Sequence, residues 1–174
     1  IAVEEADLVL FVVSARDGLT AADEEVSASL RTSDREVLLV ANKTDGLDPD
    51  VALADFAALG WGGPVPVAAA HRRGLDTLLR RAAERLPPAE AEAEGEADGA
   101  AGPRRLAVLG RPNVGKSTLV NRLLGEERVM AFDMPGTTRD SISVPFERDG
   151  VAWELIDTAG VRRRARVQEA VEKF

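Results

Sequence analysis

Gly110-Arg111-Pro112-Asn113-Val114-Gly115-Lys116-Ser117, GRPNVGKS in one-letter form, is the stretch on which the fold reading turns. An apolar run, Leu106 to Leu109, leads into it, and a helix-compatible stretch from Lys116 to Leu124 leaves it and stops at Gly125. Strand, glycine-rich loop and helix, in that order, are the setting in which GxxxxGK[ST] cradles phosphate. Gly110 and Gly115 let the backbone turn sharply, so that successive N–H groups face phosphate oxygens. The positive end of the following helix adds to that field. Lys116 is expected to reach the β and γ phosphates and the Ser117 hydroxyl to ligate magnesium. Arg111, Pro112, Asn113, Val114 and Thr118 complete the expected nucleotide-contacting stretch.

Three further motifs flank this loop. Asp157-Thr158-Ala159-Gly160 follows an apolar strand, Val151 to Ile156. A carboxylate at a strand end suits a magnesium-holding role, commonly through water, and Gly160 admits the backbone to the γ-phosphate. Between the two motifs, Pro135-Gly136-Thr137-Thr138-Arg139-Asp140 is either a plain surface turn or a loop whose hydroxyl completes the magnesium shell when γ-phosphate is present. Upstream, Asn42-Lys43-Thr44-Asp45 (NKTD) closes the apolar strand Val37 to Ala41. An ionised Asp45 accepts from both N1–H and the exocyclic amine of guanine, whereas adenine would leave that carboxylate unpaired. Sites built on such hydrogen bonds discriminate strongly.

The rest of the chain alternates strand and helix signals. Leu8 to Val13 (LVLFVV) is a continuous apolar run, as in a parallel strand covered on both faces. Thr20 and Asp23 resemble a capping box opening a helix with Val26 and Leu30. A helix near Val51 to Leu59, a strand near Val65 to Ala68 and a helix from Gly74, striped with Leu75, Leu78, Leu79, Ala82 and Leu86, follow. Ser143 to Phe146 and Val151 to Ile156 are strands joined at Asp149-Gly150, and Val161 to Phe174 is helix-compatible. Repeated βα units predict an α/β fold with a mainly parallel sheet.

Composition narrows the class. No apolar run approaches the roughly 20 residues that span a bilayer, so no membrane partner is expected. There is no cysteine, hence no disulfide or zinc-thiolate site, and a reducing cytoplasm is the expected compartment. Residues 87–103, PPAEAEAEGEADGAAGP, lack large apolar side chains and read as a disordered acidic linker. They divide the chain into residues 1–86, with net charge -6, and residues 104–174, with net charge +3. The basic run Arg162, Arg163, Arg164 and Arg166 is either an RNA or partner contact or a solvated helix face. His71 reads as a loop residue, and Trp61 and Trp153 as packing. No DNA partner is expected.

Taken together, EEADLVLFVVSARDGLTAADEEV, NKTDG, GWGGPVPVAAAHRRGLDTLL, GRPNVGKSTLVNRLLGEERVMAFDMPGTTRDSI and IDTAGVRRRARV resemble the bacterial tandem G-domain ribosome-assembly GTPases, the EngA or Der family. The resemblance implies P-loop, Ras-like G-domain halves: residues 1–86 as the back of a first domain and 104–174 as the front of a second, hence a fragment. It implies GTP or GDP as ligand, magnesium and potassium as cofactors, GTP hydrolysis, and the large ribosomal subunit as partner. By position, Ala68, Ala69 and Ala70 match the guanine-binding loop that usually reads Ser-Ala-Ala, so a hydroxyl contact is lost there. Asn113 matches a potassium-binding asparagine, Thr138 is the chosen magnesium threonine, and Ser14 stands where the family often has Asp. Val161 occupies the place of a water-orienting glutamine, beside Asp157, Thr158, Ala159 and Gly160. The catalytic set is then Lys116, Thr138, Asp157 and Gly160. The alternatives are a circularly permuted GTPase, which shares this motif order, and a nucleotide-binding module without turnover. The pieces supply each sheet position once, so the two halves can dock into one composite sheet.

Overall fold

The computed structural model describes residues 2–86, 102–125 and 143–156. Its centre is β1 (Leu8–Ser14), in which every residue is buried. β1 pairs in parallel with β2 (Glu36–Asn42) on one side and with β4 (Arg104–Leu109) on the other. β3 (Val65–Pro66) extends the sheet beyond β2. Beyond β4 lies β6 (Val151–Ile156), parallel to it, and then β5 (Val144–Arg148), antiparallel to β6. The order β3-β2-β1-β4-β6-β5 is one six-stranded, mostly parallel sheet. The strands on either side of the expected linker thus share a single hydrogen-bonded ladder, in the composite arrangement anticipated above.

The register of the central pair is Leu8 with Leu106 through Phe11 with Leu109. Side chains alternate across the ladder, so each strand feeds two cores. One face gathers Leu8, Leu10, Val12, Leu38 and Leu106 under α4 (Leu75–Arg85) and α5 (Lys116–Leu124), with Trp153 closing its far end. The other gathers Val9, Phe11, Val13, Leu39 and Ala107 under Leu30 of α2 (Ala21–Leu30) and under Phe56 and Leu59. Coverage on both faces explains why β1 reads as an unbroken apolar run.

Several boundaries differ from the sequence expectation. The stretch expected as one helix over Val51 to Leu59 is α3 (Pro49–Ala54), capped by Asp48, followed by a 3-10 turn over Asp55–Leu59. β3 is shorter than expected because Ala68 leaves the ladder to bridge Arg73. β4 starts earlier, at Arg104, where the Arg105 N–H donates to the Asp7 carboxylate (2.8 Å) and the Asp7 N–H to the Arg105 carbonyl (2.9 Å). α1 (Ala2–Glu5) spans four residues, too few to leave a periodic signal. The capping box at Thr20 and Asp23 is present. Both outer strands carry a proline, Pro66 in β3 and Pro145 in β5. Residues 87–101 of the expected linker, and the helix-compatible stretch 161–174, lie outside the described residues.

Leu106 is fully buried at the seam, so Leu106→Ala is expected to cost about 2–5 kcal/mol. Because Trp61 and Trp153 sit on opposite sides of that seam in one cooperative unit, urea unfolding should give coincident fluorescence transitions for the two. Single-tryptophan variants, Trp61→Phe and Trp153→Phe, check this; separate midpoints would mean two independent units.

Candidate nucleotide site

The loops that leave β4, β2 and β3 are the ones that carry GRPNVGKS, NKTD and Ala68 to Ala70. All three leave the carboxyl ends of parallel strands, the end at which open α/β sheets form their crevices. Asn42 is the residue that joins them. The residue is 3% exposed; its Nδ2 donates to the Val114 carbonyl at 2.9 Å, and its Oδ1 accepts the Ala69 N–H at 3.1 Å. One side chain therefore fixes the phosphate loop against the loop after β3. A Cβ at Gly115 would lie 2.3 Å from Asn42 Nδ2, and one at Gly110 would lie 2.2 Å from the Val12 carbonyl oxygen. Both glycines also hold positive φ (151° and 96° for Gly110 and Gly115), so neither position accommodates a larger residue.

Lys43 and Asn113 meet across the same junction: Lys43 Nζ donates to the Asn113 carbonyl at 2.6 Å. Both are non-glycine residues at positive φ, 64° and 65°. Such backbone costs about 1–3 kcal/mol each and persists where surrounding contacts over-determine it. Thr44 is tied to the Val67 carbonyl through its N–H (3.2 Å) and its hydroxyl (2.9 Å). The Asp45 carboxylate pairs with Arg16, and His71 Nε2 stands 3.6 Å from its Oδ2. Lys116 Nζ donates to the carbonyls of Gly110 and Arg111, both at 2.7 Å.

Of the alanine loop, Ala68 and Ala69 are buried and Ala70 is exposed. Two of its N–H groups are engaged inside the protein, Ala68 with the Arg73 carbonyl at 3.0 Å and Ala69 with Asn42. Pro112, Asn113 and Thr118 are exposed, Val114 is buried, and Ser117 is half-buried in the first turn of α5. Thr137, Thr138, Asp140, Asp157, Thr158, Ala159, Gly160 and Val161 lie outside the described residues.

Sequence reasoning missed four residues here: Arg16 and His71 beside Asp45, and Asp17 and Asp23 beside Arg111. Arg111 Nη2 is 2.5 Å from Asp17 Oδ2, and its Nε is 3.4 Å from Asp23 Oδ1. The hydrogen bond from Arg111 holds the Asp17 carboxyl below its ordinary range, and Asp17 in turn raises the Arg111 guanidinium. Asp23 was legible only as a capping residue; its tertiary partner left no local signal.

Asn42→Ala removes both bonds and leaves the Val114 carbonyl and the Ala69 N–H unpaired in a buried place. A loss of about 2–4 kcal/mol in urea unfolding is expected, roughly twice that of a single buried hydrogen bond.

Known proteins resemble this chain over unequal spans. Residues 105–174 match the family model described as 50S ribosome-binding GTPase. The chain is 59% identical over 173 residues to GTPase Der of Thioalkalivibrio sulfidiphilus, covering 99% of this chain and 37% of that protein. GTPase Der of Acinetobacter baumannii (strain ATCC 17978) is 54% identical, with 99% and 36% covered. GTPase Der of Escherichia coli O45:K1 is 52% identical over 197 aligned positions, with 100% and 40% covered. The chain thus spans well under half the length of these relatives. Each alignment runs through residues on both sides of the acidic stretch, so this motif order is also the order in GTPase Der. Among solved structures, the crystal structure of YjeQ from Thermotoga maritima shares the fold, with a TM-score of 0.53, 18% identity, and 88% of this chain and 47% of that one covered.

Proposed function

We propose, from the premise that the chain belongs to the GTPase Der (EngA) family, that it forms one composite guanine-nucleotide site from parts of two G domains. Residues 1–86 supply the base-reading back of one domain and residues 104–174 the phosphate-binding front of the next. The observation that carries this reading is the Asn42 carboxamide, bonded at once to the phosphate loop and to the loop after β3. It sets NKTD and GRPNVGKS side by side at the carboxyl end of one sheet, the relation that a guanine nucleotide needs to be held at base and phosphates together.

In this site the main-chain N–H groups of residues 111–117 and the start of α5 receive the phosphates. Lys116 transfers its ammonium from the Gly110 and Arg111 carbonyls to phosphate oxygens, a stronger charge-assisted contact. Asp45 reads the base once guanine donors share its carboxylate with Arg16. The Ser117 hydroxyl, half-buried in the first turn of α5 and next to Lys116, fits the donor set for magnesium, with Thr138 and Asp157 as its partners. When bound, magnesium neutralises charge on the β and γ phosphates. Asn113 is the proposed potassium ligand. In the whole protein we propose GTP hydrolysis in the cytoplasm in the service of large ribosomal subunit assembly; the match of residues 105–174 to the 50S ribosome-binding GTPase family supports the GTPase and 50S parts of this reading. Binding without turnover is the second reading, because by resemblance the base-reading and phosphate-binding motifs come from different G domains.

Separate substitutions test the composite site in the 174-residue chain. Lys116→Ala should weaken GDP binding about 10- to 100-fold through lost charge-assisted bonds, and Asp45→Asn about 100-fold or more with loss of discrimination against ADP. Titration with fluorescent GDP reads both. If only Lys116→Ala weakens binding, no composite site exists. Phosphate release from GTP, with and without potassium, separates turnover from binding alone.

A further inference from the structure

Arg111 belongs to the phosphate loop, yet its guanidinium engages two carboxylates of the other segment. Asp17 Oδ2 lies 2.5 Å from its Nη2, and Asp23 Oδ1 lies 3.4 Å from its Nε. The two pairs are not equal. Asp17 is 44% exposed on its side chain, so water and salt screen its shorter contact, whereas Asp23 is fully buried. Asp23 Oδ2 accepts from the Thr20 N–H (3.1 Å) and the Thr20 hydroxyl (2.7 Å), while Oδ1 has no hydrogen-bond donor among the described residues. A carboxylate so deeply buried needs a balancing cation, and among the described residues Arg111 stands beside it.

We propose that Arg111 is a positioning residue, clamped by Asp23 and steadied by Asp17, that seats the start of the phosphate loop on the N-terminus of α2 and keeps its guanidinium out of the phosphate cradle. The proposal rests on the guanine-nucleotide reading above. Its consequence lies in the main chain: the Arg111 carbonyl accepts from Lys116 Nζ at 2.7 Å. A pinned Arg111 backbone keeps that ammonium at the loop it must serve. A guanidinium spreads its charge towards both carboxylates, donating to Asp17 and standing 3.4 Å from Asp23 as an ion pair; an ammonium in its place is a point charge that serves one.

The test compares GDP with guanosine, which shares the base and lacks phosphates, on the whole 174-residue chain by titration. Asp23→Asn and Arg111→Ala should each weaken GDP about tenfold or more while leaving guanosine within about twofold. Arg111→Lys should restore only part of the loss, and Asp17→Asn should change GDP by less than about threefold, as a screened pair implies. Asp23→Asn is the deciding variant, because an arginine that itself bound phosphate would be released by it and GDP would bind as well or better. That result overturns the proposal. So does an equal fall for GDP and guanosine, the mark of general loss of structure. Should Arg111→Ala fail to fold, Asp23→Asn, which keeps the shape of the Thr20 cap, carries the same comparison. A wild-type chain that binds neither ligand removes the guanine-nucleotide reading and this proposal together; a wild-type chain that binds GDP with unchanged variants removes the clamp alone.

Discussion

The parallel pairing of Leu8–Phe11 with Leu106–Leu109 is the contact from which the rest follows. It joins residues nearly a hundred positions apart, yet the entropic cost of closing a loop grows only with the logarithm of its length. Against that cost stand two fully covered faces, since β1 is buried along its whole length. The Asp7 N–H on the Arg105 carbonyl and the Arg105 N–H on the Asp7 carboxylate fix the register at the start of the pair. Once register is fixed, the ends of β1, β2 and β4 fall side by side, and their loops have no choice but to converge. The phosphate loop passes over the Val12 carbonyl so closely that only glycine fits at Gly110. Site and sheet are thus one constraint seen at two scales.

Charge supports this seam without creating it. The first segment is acidic and the second basic, and contacts across the junction follow that sign: Arg111 with Asp17 and Asp23, and Arg148 with Asp76 at 2.6 Å. Asp76 is 77% exposed on its side chain, and a pair of that kind contributes between nothing and about 1 kcal/mol. Apolar burial is the larger stabilising term. Buried polar groups matter differently: Asn42 and Asp23 penalise any arrangement that leaves them unpartnered, so they select one docking geometry among those that apolar contact alone would allow.

Much of this was legible beforehand because it is local. An unbroken apolar run identified β1, the Thr20–Asp23 spacing identified the start of α2, and a glycine-rich loop between strand and helix identified the P-loop. What failed to show was set by distant neighbours. The length of β3 depends on Ala68 finding Arg73, and the start of β4 on Asp7 finding Arg105. The use of the Ala69 N–H by Asn42, the approach of Arg16 and His71 to Asp45, and the burial of Asp23 beside Arg111 are all tertiary. The family resemblance implied two partial domains, and the motif order was shared with permuted GTPases; that the parts complete each other's ladder was an expectation from counting strands, to which the structure adds the register.

The prolines at the two margins of the sheet carry a last consequence. Among the described residues the outermost strands are β3 and β5, and each has a proline in its ladder, Pro66 and Pro145. A proline has no N–H to offer an incoming strand, and its ring crowds the space that strand would take. β3 adds shortness to this, with two paired residues. A sheet assembled from two distant segments of one chain is open to recruiting strands from further copies, lengthening strand by strand into an aggregate. Here recruitment meets a blocked margin on both sides of the described sheet, which keeps the ladder from growing.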